Sequence, residues 1–143
     1  MAVEIREVTN KKDLKKFIWF GINLYKNCEF ASPPLAMDDS LNLTKGKNPA
    51  LEFCETCYFL AYKNDKIVGR IACIINPVAN QTWNEKQARF GWVDFIDDVE
   101  VSKALFEAAE NWARKRGMSA IHGPLGFTDF DREGLLIEGY DKM

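Results

Sequence analysis

The chain holds a single histidine, His122, and only four cysteines, Cys28, Cys54, Cys57 and Cys73. A structural zinc site takes about four soft ligands. Cys54-Glu55-Thr56-Cys57 has C-x-x-C spacing, but only Cys28, Cys73 and His122 remain as soft partners. The pair also leads into a strand signal, whereas a redox pair opens a helix. Neither metal nor redox function is expected, and the cysteines read as reduced, buried thiols. A surplus of positive charge is missing too: 19 Lys and Arg stand against 21 Asp and Glu, for a net charge of −2. That balance excludes a nucleic-acid partner, and Lys12, Lys15 and Lys16 around Phe17 read as a solvated helix face. No apolar run approaches the ~20 residues that span a bilayer, so no membrane partner is expected. Met1–Lys16 is charged and lacks the apolar stretch of a signal peptide, which places the protein in the cytoplasm.

What is present is the material of one domain: 143 residues, 47% hydrophobic and 28% charged, with ten Phe and four Trp. Ala2–Val8 alternates imperfectly as a first strand. Thr9 and Asn10 are helix caps, and Leu14, Phe17, Ile18, Gly21, Leu24 and Tyr25 follow at helical spacing. Gly21 in that stripe marks a close contact or a break. Ser32-Pro33-Pro34 stops any helix there. Short helical pieces are expected around Leu35–Asp39 and Ala50–Cys54, with turns between them.

Tyr58–Lys63 and Ile67–Ile75 read as strands joined by a tight turn at Asn64-Asp65-Lys66. Asn80–Gln87 reads as a surface loop, and Arg89–Ile96 as a third strand of the meander. Val99–Arg116 is the clearest helix, with Val101, Leu105, Ala108, Ala109 and Trp112 on one face and Gly117 closing it. Ala120–His122 adds a short strand, and Gly123-Pro124-Leu125-Gly126 breaks the pattern. Antiparallel strands, with a helix crossing to a last strand, predict an α/β (α+β) sandwich.

This order resembles the first two-thirds of the GCN5-related N-acetyltransferase (GNAT) fold. Tyr58–Ile71, with its Val68-Gly69 pair, resembles that fold's second and third strands, and Val101–Gly117 its central helix. Longer bacterial proteins carry a GNAT-like N-terminal half with similar stretches: Pro33-Pro34-Leu35, Asn48-Pro49, Phe90-Gly91-Trp92, Phe95-Ile96-Asp97-Asp98, Gly123-Pro124-Leu125, Gly134-Leu135-Leu136-Ile137 and Gly139-Tyr140-Asp141. The resemblance implies a mixed, largely antiparallel sheet flanked by helices, with the C-terminal strands truncated or replaced. It sets a GNAT-like domain at 1–124 and a tail at 125–143 that packs on the domain or on a partner. The chain is then either a piece of such a protein or a shortened gene product. A homodimer, or the C-terminal GNAT-like half, is expected to cover the exposed sheet edge; the run Leu135–Ile137 folding back would do the same.

The resemblance implies an N-acyltransferase using acetyl-CoA or another acyl-CoA. In this fold, glycines ahead of the central helix let backbone amides approach the cofactor's pyrophosphate. Aligning Leu105 with the helix's usual leucine puts that loop on Asp97–Ser102, with Asp97, Asp98 and Glu100 at or near the basic and glycine positions. Three carboxylates stand where the pyrophosphate would bind, and the loop reads as a helix start filled by its own acids. Val93, Phe95, Ile96, Val101 and Ser102 are the implied cofactor-binding positions. Asp94 or His122 is the candidate base toward an amine. Tyr140 shares only its residue type with the late tyrosine that protonates the thiolate in some of these enzymes. Trp83, Phe90, Trp92 and Phe95 line a groove or fill the core. Two readings follow: an acyl-CoA-dependent N-acyltransferase, and a non-catalytic module of the same fold for dimerisation, partner or small-ligand binding.

Overall fold

A computed structural model describes residues 2–142. Five strands form one sheet in sequential order: β1 (Glu4–Glu7), β2 (Glu55–Lys63), β3 (Lys66–Ile75), β4 (Gln87–Phe95) and β5 (Ala120–His122). The first four pair antiparallel and β5 runs parallel to β4. The β2–β3 hairpin turns on Asn64 and Asp65, both at positive φ (51° and 58°), the two-residue turn whose twist suits paired strands. β2 starts three residues before the expected Tyr58, because Glu55, Thr56 and Cys57 pair with Ile75, Ile74 and Cys73, and β3 gains Lys66 opposite Lys63.

Helices cover both faces. On one face, α1 (Lys11–Leu24) and α2 (Ala36–Leu43) pack Phe17, Ile18 and Leu43 against Tyr58, Leu60, Ala72 and Ile74. On the other, the long C-terminal helix sets Val101, Leu105, Ala109 and Trp112 on Ala61, Ile71 and Cys73. Strands sandwiched this way are apolar on both sides, which is why β3 reads as a nearly continuous hydrophobic run. Asn10 caps α1 by accepting from the Asp13 amide at 2.8 Å.

The stretch read as a loop is partly helical: α3 spans Pro77–Trp83. Asn76 accepts from the Ala79 amide and Pro77 occupies the first turn, so the same Asn-Pro that ends β3 starts a helix. The long helix, α4, runs Val99–Lys115, and Gly117 follows it at φ 77°. The first strand is shorter than the Ala2–Val8 stretch, and β4 starts two residues early, at Gln87.

After β5 the chain stays on the sheet for a few residues. The Leu125 amide donates to the Phe90 carbonyl at 2.9 Å, and Arg89 donates to the Gly126 and Phe127 carbonyls at 3.2 Å. Phe127 is buried against Trp92, with ring centroids 5.8 Å apart. Leu135, Leu136 and Ile137 are not buried on the sheet: they stand 66–79% exposed, with Leu135 at the rim of a cleft. Phe127 takes that covering place because Asp131 accepts from the Phe127 and Thr128 amides at 2.7 and 2.9 Å and turns the chain inward.

Candidate functional site

Strand β4 carries a bulge. Its register with β3 shifts between Arg70 and Ala72, and Trp92 sits at φ 44°, a region that bulky residues rarely occupy. Beyond the Leu125–Phe90 bond the tail diverges from β4. A cleft of about 370 Å³ opens there, lined by α2, the Gly91–Asp94 edge and the tail.

Charge dominates its floor. Arg70, only 4% exposed, donates from Nε and Nη2 to Asp94 Oδ2 at 2.8 and 2.7 Å. Its Nη1 donates to the Phe17 carbonyl of α1 at 3.0 Å. Tyr25 Oη donates to Asp94 Oδ1 at 2.9 Å, so both carboxylate oxygens are engaged. Burial, then the Asp94 charge, pushes the Tyr25 phenol up to about 12. Across the cleft, Asp39 on α2 is buried and its Oδ1 accepts from Trp92 Nε1 at 3.1 Å. Asp39 Oδ2 is buried and has no hydrogen-bond partner among the described residues.

His122 lies elsewhere. It is exposed on β5 and faces a second, open cleft of about 820 Å³ beside Trp83 and Arg89. The structure therefore does not bring Asp94 and His122 into one constellation. Trp83 is exposed, Trp92 helps form the first cleft, and Phe90 packs edge-on against Phe106 at 5.0 Å.

The loop ahead of α4 is built as a capped helix start. Asp98 accepts from the Glu100 amide at 2.9 Å, and Lys63 reaches both Asp98 (2.6 Å) and Glu100 (3.2 Å). The Lys63 ammonium holds the Asp98 carboxyl below the usual carboxylate range. Asp97 is exposed beside it. Of the implied cofactor positions, Val101 is fully buried in the core and the Ile96 amide is committed to the Val68 carbonyl at 3.0 Å. The Ser102 hydroxyl bonds back to the Val99 carbonyl at 3.1 Å. Val93 borders the cleft, and Phe95 is exposed at the end of β4. A pyrophosphate does not fit the start of α4 as it stands, because a carboxylate already fills its anion site.

All four cysteines are free thiols; Cys28 is exposed, against the expectation of burial, while burial raises the thiols of Cys54, Cys57 and Cys73. Among the described residues no three His, Cys, Asp or Glu side chains are grouped to hold a metal ion, and no helix is long and apolar enough to cross a membrane. Asp39, Arg70 and Tyr25 were not singled out from sequence. Asp39 sits at the end of a stretch read only as a short helical piece, while Arg70 left a usable signal: a lone charge inside a doubly buried strand demands a partner.

The architecture is the GCN5-related N-acetyltransferase fold. A tandem GNAT protein from the clavulanic acid biosynthesis pathway superposes at a TM-score of 0.59 with 15% identity, over 80% of this chain and 34% of that one. Protein YghO of Escherichia coli (strain K12) is 38% identical over 137 residues, covering 96% of this chain and 35% of that protein. A bacterial ceramide synthase of Caulobacter vibrioides is 33% identical over 135 residues, covering 94% of this chain and again 35% of the relative. The chain thus spans about a third of the length of the curated relatives it matches. No protein-family model matches it.

Proposed function

We propose that this chain is the acceptor-binding part of an acyl-CoA-dependent N-acyltransferase, with the amine in the cleft between α2 and β4. The observation that carries this is the acidic cleft placed where β4 bulges and parts from the tail: Asp38, Asp39, Asp94 and Asp131 line it against two guanidinium groups, those of Arg70 and Arg132. A net negative, partly desolvated cleft attracts a cationic head. The relative named as a ceramide synthase supports the amine, since ceramide is an amide. Of the two candidate bases, Asp94 borders this cleft and His122 does not, although both Asp94 oxygens are held by Arg70 and Tyr25. Val93 and Phe95 at the end of β4 would hold the acyl arm, and Asp98 would keep the phosphates away from the start of α4.

A second reading has its own observation. Asp98 and Glu100, paired with Lys63, close the helix start against an anion and favour a non-catalytic module of the same fold. The exposed Leu135-Leu136-Ile137 run then serves a homodimer or a further GNAT-like half, and light scattering reports which state forms. Calorimetric titration with acetyl-CoA and desulfo-CoA separates the two readings. Micromolar binding supports the acyltransferase; no heat from the folded chain favours the module.

A further inference from the structure

Asp39 is 7% exposed, lines the cleft and leaves Oδ2 without a partner. An unsatisfied buried polar atom costs about 1–3 kcal/mol, and more when charged, so native folds rarely keep one without a use. The rest of the arrangement holds that oxygen in place. The left-handed backbone of Trp92 directs its indole N–H to Asp39 Oδ1, which fixes the carboxylate and leaves Oδ2 over. Of the other acids at the cleft, Asp94 is engaged by Arg70 and Tyr25 and Asp131 by the Phe127 and Thr128 amides, while Asp38 is exposed to solvent and not desolvated like Asp39.

We propose that Asp39 Oδ2 receives the primary ammonium group of the amine acceptor and sets the site's preference for that class. This rests on the acceptor cleft proposed above. A guanidinium fork pairs with two carboxylate oxygens at once, and here one is taken by Trp92; a single buried, unpaired oxygen matches a point donor such as an ammonium. A hard divalent cation takes about six oxygen ligands, and no such group is assembled among the described residues. Leu35 and Leu135 at the cleft wall, with fully exposed Phe130, give an alkyl substituent on the amine an apolar place to lie.

The test uses n-octylamine and 1-octanol, which share a tail and differ in charge, titrated by NMR against the whole chain. Octylamine is expected to bind about ten-fold or more tighter than octanol, and the isosteric Asp39→Asn to abolish that difference. Glu107→Gln, the same charge change at an exposed position of α4, is expected to leave it intact. Equal affinity for amine and alcohol in the natural chain overturns the proposal without needing any variant. Undiminished amine preference in a folded Asp39→Asn chain overturns it too. Amine selectivity without any acyl-CoA binding would support the Asp39 assignment and sink the acyltransferase reading, whereas acyl-CoA binding with no amine preference does the reverse.

Discussion

The guanidinium of Arg70 occupies the space that a β-carbon on Gly21 would fill. Helix α1 gives up a side chain at that point so that a buried cation from β3 can pass beneath it, bond the Phe17 carbonyl and pair with Asp94. Sequence, fold and cleft meet in this one contact, because Arg70 and Asp94 both line the cleft.

Gly21→Ala is therefore expected to destabilise. In an unhindered helix interior the change stabilises by about 1 kcal/mol. Here the added methyl drives Arg70 off its partners, an overpacking cost of about 1–3 kcal/mol. Chemical denaturation decides by sign alone: a variant more stable than the natural chain rules out the close packing.

Burial raises two phenols, Tyr25 and Tyr58, each to about 12. The unfolded chain loses these protons near pH 10, before the folded one does. Above that value the unfolded state binds fewer protons, so stability is complete below pH 10 and falls as pH rises toward 12. Tyrosinate absorbance in the folded chain is expected to show two late transitions, and Asp94→Asn to advance the one from Tyr25. An unchanged Tyr25 midpoint in that variant would refute the Asp94 contribution.

Much of this frame is legible in the sequence. Asn64-Asp65 announced the hairpin, Asn10 the cap of α1, the spacing from Val101 to Trp112 the long helix, and Gly21 a close contact or a break, of which the structure shows the contact. Those signals are local: a turn, a cap, a period or a missing side chain carries its cause within a few residues. The site was less visible because its causes lie far apart in sequence. Asp39 gains its role from Trp92, fifty-three positions away, and the Asp131 turn matters only because Phe127 has a core to enter. The α3 helix was missed for a different reason: its polar face resembles a loop until Asn76-Pro77 is read as a start instead of a stop.

Asp131 anchors the tail through two backbone amides. Asp131→Ala is expected to cost about 1–2 kcal/mol, the scale of a lost capping carboxylate. Hydrogen exchange at the Phe127 amide is expected to speed up in step, since that amide loses its acceptor. Unaltered exchange there would mean that burial of the Phe127 ring alone holds the segment.

Asp98→Asn tests whether the start of α4 opposes a cofactor. Asparagine caps a helix about as well as aspartate, so α4 keeps its first turn. The substitution removes a negative charge and frees Lys63 to face an incoming anion. A charge a few ångströms from a pyrophosphate at a protein surface is worth about 1–4 kcal/mol, so acetyl-CoA affinity is expected to rise about ten-fold or more. Desulfo-CoA, which keeps the phosphates, is expected to gain equally, and calorimetry on both ligands measures it. A gain shows that Asp98 holds the phosphates off. Identical affinities in the two chains mean that the phosphates bind away from α4, whatever the acyl arm does.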